Sequence, residues 1–169
     1  MNAKTRTVSL VVGTILVLDQ VTKALVARTL GLYESVPVID SFFHLTRVHN
    51  TGAAFGVLAQ APAWFRQPFF LIATGVAVLA LVLLLRHTEQ ASRLAIVAIA
   101  AILGGALGNL LDRIFHNGQV IDFLDFHWRG YHWPAFNVAD TCITLGAIGL
   151  LWSSVRESRA ATQRNSSAV

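Results

Sequence analysis

Four aspartates fall at the same end of two apolar stretches. Asp112 closes one stretch and Asp140 opens the next, with Asp122 and Asp125 in the connection between them. Carboxylates set in strongly apolar sequence are costly at membrane depth and mostly serve function there. Two of them brought together can share a proton. The ionised partner then takes a proton from water while the protonated one donates to a carbonyl oxygen. The chemistry to expect is amide hydrolysis by an activated water, carried out by an aspartyl hydrolase in or at a bilayer.

The residues differ in how strongly they point there. Asp122 sits in Val120-Ile-Asp-Phe-Leu124, where desolvation and a neighbouring carboxylate would both raise its pKa. Asp140 follows Asn137-Val-Ala, so Asn137 suits an N-cap and Asp140 a first helical turn. Taken alone, Asp140 reads equally well as a plain cap. Asp112 stands beside Arg113, whose guanidinium can keep it charged in a supporting role. Asp125 reads as a solvent-facing residue. Asp19 and Lys23 are spaced i,i+4 with the acid first, the favourable order for a helical ion pair.

Other chemistries find less support. His127 and His132 lie near Asp122 and Asp125, and imidazole with carboxylate can bind zinc. No His-Glu-x-x-His pattern is present, and Trp128, Tyr131 and Trp133 are interleaved with these histidines, which read as interfacial. No metal or other cofactor is expected. There is no Gly-x-Ser-x-Gly elbow, and the single cysteine, Cys142, reads as a small core residue.

The elements that must position these groups are membrane spans. The chain has 169 residues, of which 54% are hydrophobic and 13% charged, against about 25% charged in an average globular protein. Four stretches, about 8–27, 68–85, 94–111 and 138–155, approach the roughly 20 residues a bilayer requires. Pro68 would occupy the first turn of the second helix, and Gly104-x-x-x-Gly108 in the third permits close helix packing. Asp19 and Lys23 interrupt the first stretch where a cleavable leader would be small and uncharged, so it reads as a retained span.

Lys4, Arg6, Arg86, Arg93, Arg156, Arg159 and Arg164 fall on one side of these spans, and Arg28, Arg47, Arg66, Arg113 and Arg129 on the other. Seven against five favours both termini in the cytoplasm. The net charge of +4 comes without a concentrated basic patch or a nucleic-acid motif, so no nucleic-acid partner is expected. Residues 29–67 form an outer platform, with one or two short strands in 36–48 and a turn-rich Asn50-Thr-Gly-Ala-Ala-Phe-Gly56. The polar tail 156–169 reads as cytoplasmic and loosely ordered. The fold expected is an all-α membrane protein of four helices with a small β-rich platform.

Five motifs in order then carry a resemblance: Asp19-Gln-x-x-Lys23, Asn50-Thr-Gly-Ala-Ala-Phe-Gly56, Gly105-x-x-Gly-Asn-x-x-Asp-Arg113, Val120-x-Asp-Phe123 and Phe136-Asn-x-Ala-Asp140. Together they resemble the bacterial lipoprotein signal peptidases, or signal peptidase II. The resemblance implies a four-span inner-membrane aspartyl protease, with its site near the outer face. Such an enzyme removes signal peptides from prolipoproteins, cutting just before a cysteine that carries a diacylglyceryl group. It also implies that Asp122 and Asp140 are the catalytic pair, and that Asp19, Lys23, Asn50, Gly52, Asn109, Asp112, Arg113 and Asn137 shape or support the site. Lipid-modified prolipoproteins and membrane lipid are the implied partners. One chain holds the whole constellation, so a monomer is expected.

Two readings compete. A small transporter would use buried carboxylates as a proton relay, but would spread polar residues through its spans rather than bunch them at one end. A non-enzymatic assembly factor would suit the glycine-rich helices but gives no reason for the carboxylates.

Overall fold

A computed structural model of the chain describes residues 2–52, 56–87 and 92–166. Helix α1 (Ala3–Thr29) begins at Asn2, whose side chain accepts the Thr5 N–H at 2.8 Å, and ends where the Leu30 N–H closes on the Val26 carbonyl. Helices α2 (Ala63–His87), α3 (Arg93–Phe115) and α4 (Val138–Ser166) complete a bundle. Among the described residues these are four helices long and apolar enough to cross a membrane, as the composition led one to expect.

Two boundaries differ from the sequence reading. Helix α2 starts at Ala63, directly after Pro62, whose carbonyl accepts the Phe65 and Arg66 N–H groups. Pro68 therefore lies beyond the first turn rather than in it. Helix α4 runs on to Ser166 where a loose tail was expected. Helix-forming Arg and Ala residues favour that continuation, and Ser153 donates to Glu157 one turn on at 3.0 Å. Residues 167–169 and most of the α2–α3 turn (88–91) lie outside the described residues, as do Ala53, Ala54 and Phe55 of the turn-rich motif.

Helix α3 packs against each of the other three. Its small residues let neighbours come close: a Cβ on Gly105 would stand 2.4 Å from the Ala139 carbonyl oxygen of α4, and one on Gly104 would press Ile15 of α1. Leu85, Ile99 and Leu103 form an apolar core with Val8, Val12 and Val78. Near that end, Lys4 donates to the Leu85 carbonyl and the hydroxyls of Ser92 and Ser153 lie 2.6 Å apart. The start of α1, the end of α2, the start of α3 and the later part of α4 thus share one end of the bundle.

The opposite end carries an antiparallel sheet of β1 (Ser35–Ile39), β2 (Phe43–Asn50), β3 (Val120–Trp128) and β4 (Tyr131–His132), in that spatial order. The first two strands fulfil the expectation for 36–48. The last two arise in the second connection, which the sequence reading left without strands. Arg129 and Gly130 both have positive φ, 50° and 85°, and make the two-residue turn between β3 and β4. Residues Val120–Phe123 of β3 are buried against the bundle, whereas β1 is exposed along its length. The β2–β3 ladder pairs Val48 with Asp122 and Asn50 with Val120, which joins the two connections at the mouth of the bundle.

Candidate active site

The sheet and the helix ends converge on a cluster of buried and half-buried polar side chains. Asp122 rides on the seated half of β3, and Asp140 stands in the first turn of α4. Asn137 caps that helix: its Oδ1 accepts the Asp140 N–H at 2.9 Å, and Asp140 Oδ2 accepts the Asn137 N–H at 3.3 Å. With its oxygen so occupied, Asn137 turns its Nδ2 to Asp122 Oδ1 at 2.7 Å. One fully buried asparagine thus ties both carboxylates into a single unit.

Two further asparagines act in the same way. Asn109 Oδ1 accepts Lys23 Nζ at 3.0 Å and Asn137 Nδ2 at 3.2 Å, so its own Nδ2 donates to Asp140 Oδ1 at 2.8 Å. Asn50 Oδ1 accepts the Gly52 N–H at 2.9 Å, and its Nδ2 donates to Asp122 Oδ2 at 3.0 Å. Each carboxylate is therefore oriented by neutral N–H donors, and among the described residues neither makes an ion pair. Burial, followed by the charge of Asp140, pushes the Asp122 carboxyl up to about 7, against the opposing effect of the Asn50 and Asn137 hydrogen bonds and Lys23.

Behind this pair lies a second cluster. Lys23 Nζ is 2.8 Å from Asp19 Oδ2 and 2.9 Å from Asp112 Oδ2, with all three side chains at most 2% exposed. Asp19 Oδ1 also accepts the Ala139 N–H at 2.9 Å, at the start of α4. Asp112 Oδ2 accepts the Ile121 N–H at 3.1 Å, at the start of β3. The ion cluster holds the two elements that deliver Asp140 and Asp122.

In front of the pair is a cavity of about 680 Å³. Asp122, Asp140, Asn50, Asn109 and Arg113 supply its polar lining, and Val48, Ala59, Phe136, Ile143 and Leu145 much of the apolar remainder. Arg113 donates from Nη2 to the Gly52 carbonyl at 3.0 Å, and its guanidinium lies 4.8 Å from the centre of the Phe70 ring. Gly52 allows a close approach there: a Cβ would stand 2.5 Å from the Val57 carbonyl oxygen.

The signal peptidase II family model matches residues 11–156. The chain belongs to the signal peptidase II family. It is 49% identical to the lipoprotein signal peptidase of Geobacter sulfurreducens over 85% of this chain and 88% of the relative. It is 46% identical to that of Syntrophotalea carbinolica, over 92% and 94% of the two chains. A bacterial membrane enzyme solved by the in meso method at 2.3 Å resolution superposes with a TM-score of 0.80 at 35% identity, covering 90% of this chain and 89% of the other. Family membership makes the protein a multi-pass membrane peptidase, and sets aside the transporter and assembly-factor readings.

Within this peptidase, all ten site residues expected from the sequence gather at one end of the bundle: Asp19, Lys23, Asn50, Gly52, Asn109, Asp112, Arg113, Asp122, Asn137 and Asp140. One pairing needs correction. Asp112 is held by Lys23 and not by Arg113, because successive helical residues point about 100° apart and Arg113 turns toward Gly52. Asp125 accepts from Thr46 Oγ1 at 3.2 Å and lies 3.5 Å from His132 Nδ1, and it is absent from the cavity lining. Three residues on from Asp122 in a strand, its side chain emerges on the other face. The His127 and His132 rings stack with centres 4.8 Å apart, and His132 turns to Asp125. Among the described residues no three His, Cys, Asp or Glu side chains are arranged to hold a metal ion.

Sequence reasoning underrated two residues. Gln20 donates to Asp112 Oδ1 at 3.0 Å and reaches Asp19 at 3.2 Å, and its polar side chain beside Asp19 within a span was the available signal. Gly108 does more than pack helices: a Cβ there would stand 2.6 Å from Asp19 Oδ2, so the glycine makes room for the carboxylate.

Proposed function

We propose that this chain is an aspartyl endopeptidase that removes signal peptides from prolipoproteins by cutting before a diacylglyceryl-modified cysteine. The observation that carries this reading is the pair Asp122 and Asp140, joined through Asn137 beside an apolar cavity at the mouth of the bundle. In this reading Asp140 is the ionised partner and takes a proton from a water held between the two. Asp122, with its carboxyl near 7, donates to the scissile carbonyl as the water oxygen bonds to its carbon. Collapse of the tetrahedral intermediate breaks the C–N bond: Asp140 passes the proton it took to the leaving cysteine nitrogen, and a hydroxyl of the intermediate returns a proton to Asp122 as the carbonyl re-forms.

Two features of the surroundings support the substrate. The cavity lies where β2, β3 and the start of α4 meet the helices, so an apolar signal helix and a lipid-bearing cysteine can both enter from within the bilayer. Its apolar side, with Phe136, Ile143 and Leu145, suits a small-residue cleavage region and acyl chains. The charge bias of the connections supports a bacterial inner-membrane location, with both termini cytoplasmic and the site toward the outer face. The protein acts as a monomer in this reading and needs no metal.

The test is cleavage of a diacylglyceryl-modified prolipoprotein by purified protein in detergent, with and without EDTA. Cleavage before the modified cysteine, indifferent to EDTA and lost in both Asp122→Asn and Asp140→Asn, is the expected result. Activity surviving in either variant removes that residue from the pair, and loss with EDTA returns a metal to the mechanism.

A further inference from the structure

His49 lines the same cavity as Asp122 and Asp140 and has had no role so far. Its ring is engaged at both nitrogens. Nε2 lies 3.4 Å from Arg47 Nη2. A guanidinium only donates, so Nε2 carries the lone pair. The hydrogen of a neutral imidazole is then on Nδ1, which faces Gln119 Oε1 at 2.9 Å. Arg47 is itself fixed, donating from Nη1 to the carbonyls of Ala27 at 3.0 Å and Leu30 at 3.1 Å at the end of α1.

The result is a polar brace across the mouth of the bundle. It runs from the end of α1 through Arg47 and His49 to Gln119, the residue before β3. His49 pairs with Ile121 and Asn50 with Val120 in the ladder, and Asn50 is the residue that donates to Asp122. Any slip between β2 and β3 moves that donor off the carboxylate.

We propose that His49 is a positioning residue for the aspartyl site: held as a single neutral tautomer between Arg47 and Gln119, it fixes the strand register from which Asn50 orients Asp122, and it exchanges no proton with substrate. This rests on the reading of Asp122 as a reacting group. A histidine that lines one cavity with two carboxylates in a hydrolase would otherwise invite the role of general base, and its two occupied nitrogens deny it that.

The experiment compares His49→Gln with His49→Leu in the full-length protein, measuring kcat and KM on a diacylglyceryl-modified prolipoprotein. The glutamine amide keeps one donor and one acceptor, and leucine has neither. Leucine should lower kcat about tenfold with KM within roughly twofold, and glutamine should restore it to within about threefold of wild type. Nitrogen-15 spectra of histidine-labelled protein, with His49→Gln identifying the resonance, should show the Nδ1-protonated neutral ring at neutral pH. The opposite tautomer or a cation overturns the proposal, as does a glutamine variant no better than leucine. The spectra need no turnover, so they remain decisive if the leucine variant does not fold. Retained activity in Asp122→Asn would instead fell the aspartyl reading and leave the tautomer result standing.

Discussion

Two sets of aspartates lie side by side at one end of this bundle, and they are held by opposite means. Asp19 and Asp112 share the ammonium of Lys23 at 2.8 and 2.9 Å, and each also accepts a backbone N–H, from Ala139 and Ile121. Among the described residues, Asp122 and Asp140 receive amide N–H groups alone, from the side chains of Asn50, Asn109 and Asn137 and from the Asn137 backbone. A cation in direct contact commits a buried carboxylate to its charge and to its place. Amides aim a carboxylate and still leave it able to take a proton. Only the second set faces the cavity, and so the first set reads as the frame and the second as the chemistry.

The comparison breaks most sharply if the two sets are stripped in turn. Lys23→Met leaves Asp19 and Asp112 buried without their cation, and should cost about 3–5 kcal/mol of stability, the range for removing one partner of a buried ion pair. Adding Asp19→Asn and Asp112→Asn to Lys23→Met should restore much of that loss. Asp122→Asn should do the reverse: cleavage disappears while thermal unfolding in detergent occurs at an unchanged or higher temperature, since a reacting carboxyl buried beside a second carboxylate opposes folding. A Lys23→Met variant as stable as wild type would sink the division into frame and chemistry, and so would an Asp122→Asn variant that unfolds easily.

A smaller effect tests whether the frame acts on the chemistry through α4. Gly108→Ala puts a methyl group 2.6 Å from Asp19 Oδ2, and the carboxylate must retreat from the Ala139 N–H it holds at 2.9 Å. Overpacking of this kind costs about 1–3 kcal/mol. Asp140 is the next residue along, so kcat should fall several-fold with the folded fraction held constant. Unaltered kcat in the folded fraction would show that the Asp19 contact does not set the position of Asp140.

How far the sequence foretold this division is instructive. Asp122 and Asp140 stood out because carboxylates are costly in apolar sequence, and Asn137 because it precedes a helix start. The ion pair of Asp19 and Lys23 was legible from i,i+4 spacing, because that contact is local. The partner of Asp112 was not. Lys23 lies in a different helix, and only tertiary packing decides between it and the adjacent Arg113. Strand β3 escaped for a related reason. Val120–Leu124 is a short apolar run without clean alternation, because Val120–Phe123 are buried whichever face they point to, with β2 paired along one edge. The brace through His49 joins three separate segments and left no mark in local sequence.

The finest test asks whether amides tune the proton they are said to leave free. If Asp122 is the acid, cleavage requires its protonated form, and activity should fall as pH rises through about 7. The Asn50 N–H, at 3.0 Å from Asp122 Oδ2, favours the charged form and so holds that value down. Asn50→Ala removes the donor, the carboxyl moves upward, and the alkaline limb of kcat should shift to higher pH by about half to one unit, the equivalent of one hydrogen bond. The plateau should drop as well, because Asp122 loses a contact that orients it. At pH 8 the variant would keep a larger share of its own maximum than wild type keeps of its own. A limb displaced to lower pH, or not displaced at all, would mean that the acid is Asp140 and that the two carboxylates exchange the roles assigned to them.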